Sequence, residues 1–189
     1  MKTLLVLRHG KSSWKNEDLA DHERPLAPRG KREARRMGEE LARRQLVPDL
    51  VVSSPAKRAR STARRVIEAS GYTGALLLEP RFYFTDLNTC LAVLAALPQE
   101  ARTVLIIGHN PLWEELVSHL TRQPTHLPTA ALAVIDLPVD AWTEIGASGA
   151  GTLRLLLEPQ TLATSTHDAY HPFRRRAIIA CRQYQGPIR

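Results

Sequence analysis

The stretch KTLLVLRHG, residues 2–10, contains the pattern that decides the fold of this chain. Its four consecutive apolar residues, 4–7, are bounded by a glycine and predict a short buried strand. Arg8 and His9 follow directly, at the carboxyl end of that strand, where open α/β sheets bind their ligands. Arginine offers a planar fork of donors suited to phosphate, and neutral histidine can act as a nucleophile or proton carrier. By itself the stretch also fits a surface Arg-His pair, so the rest of the chain must decide.

The 189 residues suffice for one domain with a buried core. No apolar stretch approaches the ~20 residues that a membrane span needs. Only a few apolar residues precede Arg8, fewer than a secretory signal has. Cys90 and Cys181 provide neither a disulfide framework nor a metal-binding spacing. We therefore expect a cytoplasmic protein without membrane contact.

The formal charge of +7 has three interpretations. Many arginines lie at helical spacing beside Glu33, Glu39 and Glu40, which is typical of a solvated helix face. A basic pocket and rim that attract an anionic substrate are the second interpretation. Nucleic-acid binding is the third, but the chain has no helix-turn-helix, zinc-finger or RNA-stacking motif, and aromatics are only 5%. We expect no nucleic-acid partner.

Predicted strands alternate with predicted helices along most of the chain. After the first strand and a polar loop over 11–28, strands are expected within 48–55 and at 75–78, 103–107, 129–137 and 152–157, the last at a sheet edge. Helices are expected at 29–45, 59–70, 88–97 and 112–120. This order predicts an α/β fold, a three-layer α/β/α domain with a mostly parallel central sheet. We assign residues 1–158 to this domain and 159–189 to a tail or wrap-around segment, not a separate domain.

Three predicted strand ends carry related chemistry. The first is Arg8-His9-Gly10; the second is Ser53-Ser54-Pro55, with Lys57, Arg58 and Arg60 just beyond; the third is Gly108-His109-Asn110. In a parallel sheet these ends share one edge, and two of them open helices whose N-termini favour anions. Together they predict a phosphate pocket that contains a histidine. Taken singly, His109 can equally cap a helix, and Arg58 and Arg60 can face solvent.

With these motifs the chain resembles the histidine phosphatase superfamily, named for its Arg-His-Gly signature, and within it the SixA-like phosphohistidine phosphatase branch. The matching motifs, in the family's order, are Arg8-His9-Gly10-Lys11-Ser12-Ser13-Trp14, Arg24-Pro25-Leu26 with Arg29-Gly30, Ser53-Ser54-Pro55 with Arg58-Ala59 and Thr62-Ala63, Gly108-His109-Asn110-Pro111, and Pro128-Thr129-Ala130-Ala131. The resemblance covers about residues 1–158 and implies a phosphoglycerate-mutase-like fold.

The resemblance also implies roles for individual residues. His9 would be the nucleophile that carries a phosphohistidine intermediate, Arg8 and Arg58 would clamp the phosphoryl oxygens, and His109 would stabilise charge in the transition state. The implied reaction needs neither a metal nor another cofactor. The implied partner is a phosphorylated substrate, a phosphohistidine-bearing protein.

Two residues of the polar loop have further interpretations. Ser12 is a candidate donor to phosphate, although it can equally start a turn. Arg24 precedes Pro25, which predicts an extended, exposed arginine that orients the loop or lines the rim. We do not assign Arg24 a catalytic role.

A proton donor for the leaving group is the element that the motifs do not supply. Phosphomonoesterases of this superfamily commonly use a carboxylate, and the corresponding stretch offers Glu79 and Asp86, which can equally be structural. The SixA-like branch that this chain resembles lacks that acid. Because imidazole is a better leaving group than an alkoxide, the absence of an acid favours an N-phosphorylated substrate. A small-molecule phosphomonoesterase and a non-catalytic phosphate or nucleic-acid binder remain alternatives. The sequence does not determine the oligomeric state.

Overall fold

The computed structural model describes residues 1–146 and 149–162 and the backbone of residues 181–183. The elements in chain order are β1 (Lys2–Arg8), α1 (Pro28–Arg43), β2 (Leu50–Ser53), α2 (Lys57–Ser70), β3 (Leu76–Leu78), α3 (Leu87–Ala95), β4 (Thr103–Gly108), α4 (Leu112–Thr121), β5 (Leu132–Leu137), β6 (Thr152–Leu157) and β7 (Cys181–Gln183). Short 3₁₀ helices cover Asp21–Glu23, Pro80–Phe82 and Trp142–Glu144. Each predicted strand and helix is confirmed, with ends shifted by up to three residues.

The strands form one sheet in the order β6-β5-β1-β4-β2-β3-β7. The strands β1, β4, β2, β3 and β7 pair in parallel with one another, whereas β5 pairs antiparallel with both β1 and β6. The predicted mostly parallel sheet is therefore confirmed, and β6 lies at an edge as expected. β1 and β4 lie next to each other near the middle, which places their carboxyl ends side by side.

The apolar run of β1 is continuous because both of its faces are buried. Leu4 and Val6 pack with Trp113 in the core on one side of the sheet, whereas Leu5 and Leu7 pack in the core on the other side. Successive side chains of a strand point to opposite faces, so an alternating apolar and polar pattern would cover only one side. The arrangement confirms the predicted three layers.

The exposed face of α1 explains part of the positive charge. Arg29 pairs with Glu33 at 2.5 Å and Arg35 with Glu39 at 2.9 Å, both at i,i+4 spacing. Such surface pairs each contribute less than about 1 kcal/mol, and both arginines lie at the surface, with 54% and 66% of their side chains exposed. For these arginines the solvated-face interpretation is confirmed.

The region after β6 is described only in part. β7 pairs in parallel with β3, so residues 181–183 extend the same sheet. Residues 163–180 and 184–189, which make up most of the predicted tail, lie outside the described residues, and the domain boundary at 158 stays a prediction. Within the described part of the chain, no helix is long and apolar enough to cross a membrane.

Candidate active site

The three chemistry-bearing strand ends meet at one edge of the sheet. Arg8 pairs with Gly108 across β1 and β4, and Ser53 pairs with Ile107 across β2 and β4. The ring centroids of His9 and His109 lie 4.9 Å apart. The predicted convergence of two histidines at the carboxyl end of the sheet is therefore confirmed.

His9 is held in one orientation by the backbone. Its N–H donates to the Gly108 carbonyl at 3.0 Å, and its Nδ1 lies 2.7 Å from the Gly10 carbonyl. A carbonyl accepts only, so Nδ1 carries the proton and the lone pair of the ring lies on Nε2. Burial, with a smaller contribution from the positive charges of Arg58 and Arg8, lowers the pKa of His9 to about 4. The imidazole is neutral at pH 7, with Nε2 available as a nucleophile.

The turn after His9 depends on two glycines in close contact. A Cβ at Gly10 would lie 2.7 Å from the Gly30 carbonyl oxygen, and a Cβ at Gly30 would lie 2.3 Å from the Lys11 carbonyl oxygen. The Gly10 N–H donates to the Thr62 hydroxyl at 3.0 Å, and that hydroxyl donates to the Arg58 carbonyl at 2.8 Å. The His9 turn, α1 and α2 are thereby tied together.

Arg58 lies in the first turn of α2 and is buried, with 8% of its side chain exposed. Its Nε donates to His9 Nε2 over 3.3 Å. Its Nη1 donates to the Asp21 carbonyl at 2.6 Å and its Nη2 to the Asp21 carboxylate at 2.9 Å. The position of Arg58 is therefore internal rather than solvent-facing.

Arg8 leaves the end of β1 toward the segment that precedes β5. Its Nη1 donates to the Leu127 carbonyl at 2.8 Å, which also accepts from the Asn110 side-chain amide at 3.0 Å. The Leu127 N–H in turn donates to Glu114 at 2.8 Å. The buried Nε of Arg8 has no hydrogen-bond partner among the described residues.

His109 follows β4 and contacts the loop after β2. Its Nε2 lies 2.8 Å from the Ser54 hydroxyl, which accepts from the Ala56 N–H at 3.3 Å. Burial, followed by the charges of His9 and Arg58, lowers the pKa of His109 to about 3, so this ring is neutral as well. In the tautomer in which the Ser54 hydroxyl donates to Nε2, the ring proton lies on Nδ1. Within the described part of the chain, that buried Nδ1 has no hydrogen-bond partner.

Two residues in contact with this cluster were missed by the sequence analysis. Asp21 binds Arg58 and also accepts from the Tyr83 hydroxyl at 2.8 Å. The Tyr83 ring lies 5.6 Å from the His109 ring, edge to face. Burial opposes ionisation of Asp21, but hydrogen bonds from Tyr83 and Arg58 and the charge of Arg58 lower its pKa to about 2. An aspartate in a charged, polar loop carries no local signal, because its partners are distant in sequence.

Ser12 and Arg24 lie behind this cluster, in the loop between β1 and α1. The Ser12 hydroxyl accepts from Arg24 Nη2 at 2.7 Å, and Arg24 Nη1 donates to Asp21 Oδ1 at 3.0 Å. Arg24 has the predicted extended backbone, but the expected exposure is wrong, since only 7% of the residue is accessible. Its guanidinium stacks 3.2 Å from the Trp14 ring, which covers it. The role of Ser12 as a hydrogen-bond donor to phosphate stays a prediction.

The two candidate acids are both engaged in local structure. Buried Glu79 accepts from the backbone N–H, Nε and Nη2 of Arg81, each at 2.9 Å. Asp86 caps α3, where it accepts from the Thr89 N–H at 2.9 Å and the Thr89 hydroxyl at 3.0 Å. The N-cap bonds lower the pKa of Asp86. Among the described residues, no three His, Cys, Asp or Glu side chains lie close enough to hold a metal ion together.

The cluster is well suited chemically to a phosphoryl group. Arg8 Nε and, in that tautomer, His109 Nδ1 are two buried donors that have no hydrogen-bond partner among the described residues, and such donors each cost about 1–3 kcal/mol if nothing binds them. Guanidinium and imidazole donors beside a neutral nucleophilic imidazole stabilise the charge of a transferring phosphoryl group. This arrangement can bind and accept a phosphoryl group.

Similar solved structures share the fold across nearly their whole length. The protein histidine phosphatase SixA, solved in complex with tungstate, is 27% identical with a TM-score of 0.72, covering 84% of this chain and 97% of that one. A mycobacterial glucosyl-3-phosphoglycerate phosphatase is 19% identical with a TM-score of 0.62, covering 82% and 98%. At that lower identity, the second likeness concerns the fold alone.

Sequence comparison gives the family. The family model described as histidine phosphatase superfamily (branch 1) matches residues 4–82. An uncharacterised protein of Mycobacterium leprae is 33% identical over 144 residues, covering 69% of this chain and 87% of that protein. These matches agree with the arrangement of His9, Arg58 and His109, and the chain belongs to the histidine phosphatase superfamily.

Proposed function

We propose that this protein is a metal-independent phosphatase that removes phosphoryl groups through a phosphohistidine intermediate on His9, and that its substrate is phosphohistidine on a protein. The observation that carries the proposal is the state of His9. Its Nδ1 is bound to the Gly10 carbonyl at 2.7 Å, and its Nε2 lies 3.3 Å from the Arg58 Nε. A neutral imidazole fixed in this way has one nucleophilic atom, and that atom adjoins a phosphate-binding cation.

In the first step, the Arg58 Nε–H transfers its hydrogen bond from His9 Nε2 to a phosphoryl oxygen, and the freed lone pair of Nε2 forms a bond to phosphorus while the bond from phosphorus to the substrate's imidazole nitrogen breaks. The departing imidazole takes a proton from solvent. Arg8, Arg58 and His109 donate hydrogen bonds to the phosphoryl oxygens, whose charge is spread over the transition state. The Nδ1–H of His9 continues to donate to the Gly10 carbonyl, and this hydrogen bond stabilises the positive charge that develops on the ring.

In the second step, a water oxygen attacks the phosphorus and the bond to His9 Nε2 breaks. The water loses a proton to solvent, inorganic phosphate leaves, and the neutral imidazole is restored. The same donors serve both steps because the phosphoryl group stays in place between them. No metal enters this scheme, since the two guanidinium groups and His109 supply the stabilising charge and hydrogen bonds.

Two observations support phosphohistidine as the substrate class. Glu79 and Asp86, the acidic candidates for leaving-group protonation, are committed to Arg81 and to the α3 N-cap. An alkoxide needs such an acid far more than imidazole does, because imidazole is the weaker base. The solved SixA structure at 27% identity is that of a protein histidine phosphatase, which agrees with this substrate class.

The surroundings of the site support a protein-borne phosphoryl group. Of the described tryptophan and phenylalanine side chains, Trp14 and Phe84 alone are exposed, at 68% and 80%. Trp14 stacks on Arg24, and Phe84 lies 4.2 Å from the Tyr83 ring, so both adjoin residues that contact Asp21. Exposed aromatic side chains are enriched at protein interfaces.

The second candidate is a small-molecule phosphomonoesterase. It is favoured by the fold shared with the glucosyl-3-phosphoglycerate phosphatase. It is also favoured by Tyr83, whose ring centroid lies 5.6 Å from that of His109 and whose hydroxyl could protonate an alkoxide leaving group. Binding of phosphate without turnover is disfavoured, since a binding protein does not require a fixed neutral nucleophile.

Rates on two substrate classes test the proposal. A phosphohistidine-bearing phosphorelay domain and a panel of phosphate monoesters are each incubated with wild type and with His9→Ala. We expect release of phosphate from the protein substrate at a kcat/KM at least 100-fold above that for any monoester, and its loss in His9→Ala. Preference for a monoester would transfer the function to the second candidate, and undiminished turnover in His9→Ala would exclude His9 as the nucleophile.

A further inference from the structure

Asp21 is the residue that joins the loop between β1 and α1 to the catalytic cluster. Its carboxylate accepts from Arg58 Nη2 at 2.9 Å, from the Tyr83 hydroxyl at 2.8 Å and from Arg24 Nη1 at 3.0 Å. Its main-chain carbonyl accepts from Arg58 Nη1 at 2.6 Å. One residue therefore binds both terminal nitrogens of Arg58, through two separate groups.

This two-point contact fixes the guanidinium plane. Rotation of that plane would break at least one of the two bonds to Asp21, so the remaining donor, Nε, keeps its direction toward His9 Nε2 at 3.3 Å. An unrestrained arginine side chain loses up to about 2 kcal/mol of rotamer freedom when it is ordered. With Asp21 in place, that ordering precedes substrate binding, which is the condition for effective electrostatic stabilisation.

The Asp21 carboxylate could either orient Arg58 for the phosphoryl group or compete with that group for the donors of Arg58, and the contacts distinguish these two effects. A carboxylate bound to an arginine can compete with a phosphoryl group for the same donors. Here the carboxylate occupies the Nη edge of Arg58, whereas the atom beside His9 is Nε. A phosphoryl group on His9 Nε2 would adjoin the Nε side, so Asp21 and the phosphoryl group occupy different sides of the guanidinium.

We propose that Asp21 is a positioning residue for phosphoryl transfer, which holds Arg58 so that its Nε faces the phosphoryl group on His9. The inference rests on the proposed function, since it requires phosphoryl transfer at His9. Asp21 does not touch the reacting atoms in this role; it acts through Arg58. Tyr83 and Arg24 hold the carboxylate itself, because each donates to one of its oxygens.

A double-mutant cycle tests this dependence on Arg58. Wild type, Asp21→Ala, Arg58→Ala and the double variant are compared in kcat/KM for the phosphoprotein substrate. A misplacement of about 1 Å in a catalytic group can reduce rate about 100-fold, so we expect Asp21→Ala to lower kcat/KM by about 10- to 100-fold. In the Arg58→Ala background the same substitution should change kcat/KM by less than about threefold, because the group that it positions is absent. Equal losses in both backgrounds would overturn the inference.

Orthovanadate binding separates positioning from competition and from a general loss of structure. If Asp21 positions Arg58, Asp21→Asn and Asp21→Ala bind this phosphoryl-transfer analogue more weakly by the same factor as kcat/KM falls. Tighter vanadate binding with unchanged or faster turnover would mean that the carboxylate is a competitor, which contradicts the proposal. Asp18→Ala is the matched control, since Asp18 is an exposed carboxylate of the same loop whose N–H bonds Asn16.

The wild-type rate keeps the two proposals distinguishable. Should wild type release phosphate from none of the phosphorylated substrates, the proposed function fails, and the inference fails with it. Should wild type be active while Asp21→Ala and Asp21→Asn match it in both kcat/KM and vanadate affinity, only the positioning role is overturned.

Discussion

The Arg58 Nε lies 3.3 Å from His9 Nε2, so the cation at the start of α2 directly faces the nucleophilic atom at the end of β1. The two residues are 49 positions apart in the chain. The contact exists because β1 and β2 both flank β4, and α2 begins directly after the β2 loop. It brings a fixed positive charge to the position where a phosphoryl group would bond to His9.

Replacement of Arg58 should therefore lower kcat/KM strongly, even when the new side chain retains the positive charge. We expect Arg58→Ala to lower kcat/KM by roughly 100- to 1,000-fold, as loss of one preorganised donor commonly does. Arg58→Lys should recover little, because an ammonium cannot donate to His9 and to both acceptor groups of Asp21 in one planar arrangement. Arg64→Ala is the control, an exposed arginine of the same helix, and should match wild type. Near-complete rescue by lysine would contradict this role.

Ser54 should control the protonation site of His109. Its hydroxyl lies 2.8 Å from His109 Nε2, and Ser54→Ala removes that contact while leaving the strand end intact. We expect kcat/KM to fall by about tenfold and the ring proton to become mixed between Nδ1 and Nε2, as seen by ¹⁵N chemical shifts. Ser53→Ala, which removes a hydroxyl that donates to the Ser54 carbonyl, should leave the His109 tautomer unchanged. An unchanged ¹⁵N spectrum in Ser54→Ala would exclude this tautomer control.

The two histidines should titrate far below the ordinary histidine pKa of 6.5. NMR titration is expected to give pKa values of about 4 for His9 and about 3 for His109, chiefly because burial disfavours the charged ring. In His9→Asn the pKa of His109 should rise, since the charge of His9 contributes to its depression, yet stay below 6.5 because burial remains. Values near 6.5 for both rings in wild type would contradict the neutral pocket.

The same shifts predict how stability depends on pH. Below pH 6.5 the unfolded chain binds protons at these two positions and the folded chain does not, so protonation favours unfolding. The free energy of unfolding should be at its full value above about pH 6.5 and should decrease as the pH falls toward 4 and then 3. Urea unfolding at pH 7 and pH 5 measures this, and His9→Asn should show a smaller decrease than wild type.

Gly30 should be intolerant of alanine although it lies in a helix. Alanine normally favours a helix over glycine by about 1 kcal/mol. Here the added Cβ would lie 2.3 Å from the Lys11 carbonyl oxygen, so α1 and the turn after His9 would have to separate. We expect Gly30→Ala to lower the free energy of unfolding by about 1–3 kcal/mol and to reduce activity. Gly146→Ala, where a Cβ would meet none of the described residues within 4 Å, is the control in the same urea titration.

Phe84 should matter for a protein substrate and not for a small one. The side chain is 80% exposed and adjoins Tyr83, so Phe84→Ala removes contact area without opening the core. We expect KM for the phosphoprotein to rise about 5- to 30-fold, equivalent to about 1–2 kcal/mol, with phosphoramidate turnover unchanged. Val47→Ala is the control because Val47 precedes the amino end of β2, at the opposite edge of the sheet. Equal effects on both substrates would argue against a docking role.

Local patterns were sufficient for the elements and for the main site residues. The apolar runs of β1 and β4 are continuous because parallel strands are buried on both faces, and each strand is followed directly by a histidine, whose position was therefore predictable. Arg58 was predictable because it opens a helix directly after a third such strand. Asp21 was not, because its contacts with Arg58 and Tyr83 span 37 and 62 residues and leave no periodic or spacing signal.

The exposure of Arg24 is a similar case. The proline that follows it determines an extended backbone, and the structure has that backbone. The side chain is nonetheless buried because Trp14, Ser12 and Asp21 surround it, and those contacts depend on the path of the whole loop. Backbone conformation is a local property, whereas side-chain burial depends on what the rest of the chain brings nearby.

The sequence by itself determined the alternation of strands and helices, the mostly parallel sheet, and the meeting of His9, Arg58 and His109 at its edge. These follow from hydrophobic periodicity and from the geometry of parallel strands, both of which are local or topological. Only the tertiary structure decided which ring nitrogen of His9 carries the lone pair, that Asp21 binds Arg58, and that Glu79 and Asp86 are engaged elsewhere. Those properties depend on hydrogen bonds with distances of about 3 Å between residues, many of them far apart in the chain, and no sequence pattern encodes such distances.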